Sequence, residues 1–581
     1  MLSYLLKFHR YSKREFSWFI ALSFLAGFLE SVGISLFVPL LNFFVEKNAE
    51  TQYSKYFRLG FDFLGIPFTL QNLLWVLIGV FFMKTVISIG VFYYRENIRE
   101  SLKIKLHSLF IVNLCNSDYP WFKNIKESEL NNALTLEIDK IVDACTKLGM
   151  IISATFNLFI YGISFLLIND VKTLAFMLPA FVILPFLLKF SKKIRKGSRL
   201  STQINEEVQD NIFQLLRGFK YLKVKQSFEV FHKRLFDLFE MRRKTSVKIY
   251  LMVASPTALT EFLAVSLASL FIWLFVMKMN KPLAEVLVII ILIQRLFTNM
   301  INYITSKNSF WANIGSLDKY YSFLSEMEKH EDLKIKIKTS PITFNHETIL
   351  EFENVSFLYH DQPVLNNVSL KIKRGEKIGI VGLSGSGKST MFDLALGLLH
   401  PQTGKVLLDG IDITKISRQD IANVVGFVPQ DPVIFNDTAE RNLFWFKKSH
   451  IDLPSELNKH ILKFLTQFST ERVGDTYRSM SGGQRQKIAF LRELIQDTKL
   501  LFIDEGTSSM DTQSEKEFME LTNISKDVSI VMIAHRLSSL TNCDRILVLN
   551  NGTIIEQGDW KSLANDSDSF FSSLLRQQSI N

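Results

Sequence analysis

Cysteine is nearly missing from this chain: Cys115, Cys145 and Cys543 are the only three in 581 residues. They cannot build an even-numbered disulfide framework and match no metal-ligand spacing, so the chain belongs in a reducing compartment or is indifferent to redox. Internal repeats and low-complexity tracts are also absent, which excludes a solenoid or an array. No cleavable leader is expected either. Lys7, Arg10, Lys13 and Arg14 precede an apolar run about twice as long as a signal core, with no small-residue cleavage site after it. That run is expected to remain as a first transmembrane helix. Acidic residues are outnumbered, 57 against 67 Lys and Arg, for a formal charge of +10. Such an excess fits nucleic acid or membrane topology, and its location decides between them.

Apolar residues are plentiful. They make up 48% of the chain, with 51 Phe, and the mean hydropathy of +0.15 is too oily for a soluble protein of this length. The oil lies in the first half. Six segments reach the roughly 20 residues that crossing a bilayer requires: 16–45, 72–94, 148–168, 171–190, 249–277 and 282–304. Only Asn169-Asp170 separates the third from the fourth, as in a tight hairpin. Trp18, Trp75, Tyr93, Tyr94 and Tyr250 sit near span ends as interfacial anchors. Between spans two and three lie Arg99, Lys103, Lys105, Lys123, Lys126 and Lys140. Lys192, Lys193, Arg195, Lys196 and Arg199 cluster after span four. The positive-inside rule puts both long loops, the N-terminus and the C-terminal half in the cytoplasm. The excess charge is then mostly topology, and no nucleic-acid partner is expected.

Both long loops have few glycines or prolines and read as helical extensions of the spans. Each is interrupted midway, by Asp118-Tyr119-Pro120-Trp121-Phe122 and by Leu215-Leu216-Arg217-Gly218-Phe219-Lys220-Tyr221. Such breaks suit a simple helix–turn–helix or a docking surface for another domain. Glu30, Lys84, Glu261 and Arg295 fall inside the spans. Charges at that depth face a bundle interior or a wet cavity. Two readings follow: mutual ion pairing, or a substrate cavity in which Lys84 and Arg295 attract an anionic head group.

The expected division is a transmembrane domain over 1–325, a charged linker over 326–348, and an α/β domain of 349–581 with a parallel sheet. Within the last, Lys377-Ile378-Gly379-Ile380-Val381 leads into Gly382-Leu383-Ser384-Gly385-Ser386-Gly387-Lys388-Ser389-Thr390, the pattern G-x-x-x-x-G-K-[ST] in its strand–loop–helix setting. Glycines let backbone N–H groups surround an anion, and the helix N-terminus adds its dipole. Lys388 reaches the β- and γ-phosphates, and Ser389 offers a hydroxyl to Mg²⁺. Other polar groups follow strand-like runs. Gln430 and His535 are placed to sense a γ-phosphate. Asp504 is placed to hold Mg²⁺, with Ser389 and Gln430, and Glu505 to act on water.

Taken in order, residues 382–389, Gln430, Ser481-Gly482-Gly483-Gln484, Asp504-Glu505, Ser508-Ser509-Met510-Asp511 and His535 resemble the full motif set of ATP-binding cassette (ABC) transporters. Six spans ahead of one cassette resemble an exporter or flippase half-transporter. The resemblance implies that Tyr359 stacks on adenine and that cassettes close head-to-tail, the 481–484 loop of one completing the ATP site of the other. It implies a dimer, with itself or with a paired half-transporter, and makes the two interrupted loops coupling helices. Met480, Tyr477, Gly506 and Met510 depart from the family pattern, and the stretch between Gln430 and Ser481 is short. Intact Glu505 favours hydrolysis over an ATP-gated channel. The expected protein is an ATP- and Mg²⁺-dependent exporter or flippase of the bacterial inner membrane. Residues 30–40 look similar to flippases of lipid-linked oligosaccharides, which points to an amphipathic lipid or glycolipid; hydrophobic peptides or drugs are the alternative.

Overall fold

The computed structural model describes residues 13–45, 52–168, 190–277, 283–332, 346–359, 361–444, 455–466, 480–496, 498–505, 517, 520–521, 527–534 and 536–580. They pack as two units. One comprises Met1–Cys115 and Asn124–His330; the other comprises Asn116–Lys123 and Glu331–Asn581.

The first unit is helical. Four stretches among its described residues are long and apolar enough to cross a membrane: Arg14–Leu41, Leu70–Cys115, Glu127–Leu166 and Val286–Ala312. These carry the first, second, third and sixth expected spans. Residues 171–189 of the fourth lie outside the described residues, and the fifth ends the 50-residue helix Phe228–Met277. The 46-residue helix Leu70–Cys115 shows how one element serves two solvents. At 1.5 Å per residue it is about 69 Å long, over twice the hydrocarbon core. Its first half turns Trp75, Ile78, Phe82 and Ile89 outward, as lipid demands. Its second half buries Ile98, Leu102, Leu106 and Phe110, four residues apart, as an amphipathic helix in water does. There Tyr320 packs on Phe110 and donates its hydroxyl to Leu106 O at 2.8 Å.

The second unit contains two sheets. The larger has the order β10-β9-β3-β8-β7-β6, built from β3 (Lys377–Val381), β6 (Val425–Val428), β7 (Leu500–Asp504), β8 (Ser529–Ile533), β9 (Arg545–Asn550) and β10 (Thr553–Gly558). All neighbours are parallel except the β9–β10 hairpin, whose turn residues Asn551 and Gly552 both have positive φ, 46° and 77°. The register sets Val428 opposite Ile503, Asp504 opposite Ile533 and Ile380 opposite Ile533. Parallel strands in that register end level, so their C-terminal residues share one edge.

A second sheet joins the expected parallel one. It is antiparallel, in the order β2-β1-β4-β5, from β1 (Thr348–Tyr359), β2 (Gln362–Lys373), β4 (Thr403–Leu408) and β5 (Ile411–Asp412). The sequence reading lacked β2. Val368, Leu370 and Ile372 alternate inward, but Asn366-Asn367 interrupts the run, and Asn367 takes φ 52° where the register slips. Between the sheets lies a core containing Phe352, Leu370, Phe392 and Phe502. Phe392, on the helix Lys388–Ala395, meets Phe502 edge-on at 4.9 Å. The phosphate-loop helix is therefore anchored to the strand that carries the carboxylates.

Candidate functional site

The loop after β3 is shaped by backbone geometry that only glycine adopts cheaply. Gly385 and Gly387 have φ of 80° and 104°. A Cβ on Gly387 would also lie 2.7 Å from Leu365 Cδ2 and 2.9 Å from Val364 O. Lys388 folds back into the loop and donates to Gly382 O and Leu383 O at 2.9 and 2.8 Å. Burial lowers its pKa, against the pull of Glu505 and Asp504. Ser386 is 4% exposed and its Oγ finds no partner among the described residues. A buried, unpaired hydroxyl beside an inward lysine and a helix N-terminus is what an anionic ligand satisfies. Gly382, Ser384, Ser389 and Thr390 complete the loop, Ser384 and Ser389 exposed and Thr390 buried.

β6 and β7 deliver the next groups. Asp504 ends β7, and Glu505 follows in a left-handed conformation with φ 53°, its N–H donated to Ile533 O at 3.0 Å. Gln430, just beyond β6, donates its side-chain amide to Glu505 Oε2. Lys388, Gln430, Asp504 and Glu505 thus come together from three strand ends. His535 and residues 506–511 lie outside the described residues, as does Tyr477. One contributor was missed in the sequence. Gln486 is fully buried and donates to Gln430 O at 2.8 Å. Its signal was a polar side chain on the inward face that Phe490 and Ala489 share.

Ser481-Gly482-Gly483-Gln484 opens the helix Gly482–Ile495 with a full capping box: Gln484 N–H donates to Ser481 Oγ at 3.2 Å, and Ser481 N–H to Gln484 Oε1 at 3.0 Å. Met480 is buried at its start, so an unbranched apolar side chain is tolerated there. Farther along, Arg492 donates to Asn442 O at 2.8 Å and Val433 O at 3.1 Å. Burial pushes the neighbouring Glu493 carboxyl up to about 7.

Tyr359 closes β1, edge-on to Phe357 at 4.9 Å. The first interruption, Asn116–Lys123, packs with this unit. The second stays with the helical unit, where Leu216, Phe219 and Tyr221 are exposed. In the spans, Glu30 pairs with both Lys84 at 3.4 Å and Arg295 at 3.2 Å, and the buried Tyr161 lies within electrostatic reach of Glu30 and Arg295. Tyr161 was not foreseen; a hydroxyl inside an apolar span was its only mark. The cluster has one positive charge more than its acid balances. Glu261 is exposed on its helix and makes no ion pair with them among the described residues.

Residues 16–301 match the family described as ABC transporter transmembrane region, and residues 365–508 match ABC transporter. The chain belongs to the ABC transporters. An ATP-dependent lipid A-core flippase of Desulfotalea psychrophila is 26% identical over 520 residues, covering 85% of this chain and 88% of the relative. A protein of Bacillus subtilis named for multidrug export is 29% identical over 439 residues, covering 72% and 74%. A solved bacterial Atm1-family ABC exporter shares the fold, with a TM-score of 0.78 and 18% identity over 96% of this chain and 98% of that one. This ABC transporter is an integral membrane protein that binds ATP and couples its hydrolysis to transport. One membrane region and one cassette give it the domain architecture of a half-transporter, which suggests dimerisation.

Proposed function

We propose that two copies of this chain form an ATP-driven flippase for an amphipathic, anionic lipid or glycolipid. The bond between Gln430 and Glu505 beside Lys388 carries the hydrolytic half of the reading. Lys388 exchanges its two carbonyl partners for the β- and γ-phosphates of ATP, while the loop N–H groups and Ser386 Oγ hold their oxygens. Gln430 orients Glu505, whose carboxylate takes a proton from the attacking water; His535 is assigned to the same phosphate by its place in the motif set. Ser389, Gln430 and Asp504 form the oxygen set suited to Mg²⁺, which when bound neutralises phosphate charge. The capped helix at Ser481 presents its N-terminus to the γ-phosphate held by the other copy, whose Tyr359 stacks on adenine. Cassette closure turns the spans outward, and hydrolysis resets them. By the distribution of Lys and Arg, the cassette lies in the cytoplasm and the spans in a bacterial inner membrane. Boundaries near 325 and 349 separate the domains.

For the substrate, the supporting observation is the Glu30–Lys84–Arg295 cluster. Within apolar spans, a net positive charge with Arg295 half-exposed favours an anionic head group over a neutral drug. The lipid A-core flippases among its relatives agree with that chemistry. ATPase activity of the reconstituted protein should rise with anionic lipids or glycolipids and not with hydrophobic peptides. Neutralising Lys84 and Arg295 together should abolish the rise. A flat response to every lipid class would remove the lipid assignment, and stimulation by peptides alone would favour the multidrug-type alternative.

A further inference from the structure

Asn116–Lys123 packs with residues 331–581 rather than with the helices that flank it in the chain. Its start is pinned. Asp332 N–H donates to Asn116 O at 2.7 Å, and Ser117 bridges Glu331. The Asp332 carboxylate accepts Nε and Nη2 of Arg418 at 3.1 and 2.7 Å. Arg418 also donates to Leu396 O and Gly397 O, carbonyls at the end of the helix Lys388–Ala395. The segment is thus tied to the far end of the helix that the phosphate loop opens.

Its other end reaches the aromatic platform. The Lys123 ammonium lies over the Tyr359 ring, 5.3 Å from the centroid. Asp393, on the phosphate-loop helix, is within electrostatic reach of both Lys123 and Tyr119. Asp393 makes no ion pair among the described residues. An ammonium is held over a tyrosine face by the ring quadrupole, and a purine stacking on that face needs the same surface. The two exclude each other, and the displaced lysine has a carboxylate nearby to receive it.

We propose that Lys123 is a base-sensing residue of the nucleotide site: it occupies the Tyr359 face until a purine base stacks there, then moves to Asp393 and carries its end of the segment with it, while Asn116 stays pinned. The inference rests on Tyr359 being the adenine platform. A triphosphate without a base fills the phosphate loop and leaves Lys123 where it is. Base occupancy, rather than phosphate occupancy, then moves one end of the only described stretch of the membrane-side sequence that packs in this unit.

The test uses the full chain reconstituted in phospholipid vesicles, with KM measured for ATP and for ribose 5-triphosphate. In K123M the ratio of KM for ribose 5-triphosphate to KM for ATP rises about threefold, because adenine no longer displaces a cation. K123R, which keeps a cation over the ring, restores the wild-type ratio. An unchanged or lowered ratio in K123M, or the same rise in K123R, overturns the proposal. Y359A separates the two layers of the argument. If it leaves the ratio unchanged, the platform reading itself falls; if it lowers the ratio while K123M does nothing, only the role of Lys123 falls.

Discussion

Glu505 is held at φ 53°, a backbone conformation that costs a residue other than glycine about 1–3 kcal/mol. The strain turns its carboxylate off the strand axis to where Gln430 meets it. Glu505→Gln keeps the shape and removes the base, so steady ATP turnover should fall by about 10²–10⁴ while nucleotide binding persists; phosphate release and nucleotide binding measured on one preparation check both halves. Glu493 gives the residue scale a pH signature. Its carboxyl is raised to about 7 by burial, with Arg492 and the Phe427 N–H pulling the other way. Between the unfolded value of 4.5 and about 7 the folded protein holds a proton that the unfolded chain has lost. Stability therefore falls as pH rises through that window. Glu493→Gln should flatten the slope of Tm against pH, and an identical slope in wild type and variant would count against it. Glu505 and Lys388 were legible from motif spacing. Ser386 was legible in the same way, inside the phosphate-loop motif; Gln486 was not, because what marks it is its burial against Gln430, a property of packing.

At the element scale, the helix Gly482–Ile495 begins with Ser481 and Gln484 holding each other's backbone N–H. The same residues that suit an anion therefore also fix where the helix starts. Ser481→Ala should cost about 1 kcal/mol of local stability, seen as faster hydrogen exchange at Gly482–Arg485 before any change in the sheet. An unaltered exchange rate would show that the cap contributes nothing there. The long helix Leu70–Cys115 was readable because its pattern changes where its solvent changes. The strand β2 was not, since a bulge at Asn367 broke its period of two.

For the whole molecule, the arrangement to test is the proposed head-to-tail pair of cassettes. Mixing Lys388→Ala copies with Ser481→Glu copies should give dimers with both lesions in one site and an intact second site. With equal amounts, half the dimers are mixed and each keeps one of its two sites, so ATPase activity of the mixture should reach about a quarter of wild type, whereas either variant alone is nearly inactive. Each site built within one chain would leave the mixture as inactive as its parents.

Sequence by itself determined the two-part plan and the chemistry of the phosphate loop, because hydropathy and glycine spacing act locally along the chain. Tertiary structure decided which distant groups meet. Strand register alone sets Gln430 against Glu505. Packing alone gathers Glu30, Lys84 and Arg295 from three helices and leaves Glu261 apart. The placement of Lys123 over Tyr359, 236 positions away in the chain, also depends on the fold, since no local pattern links residues that far apart.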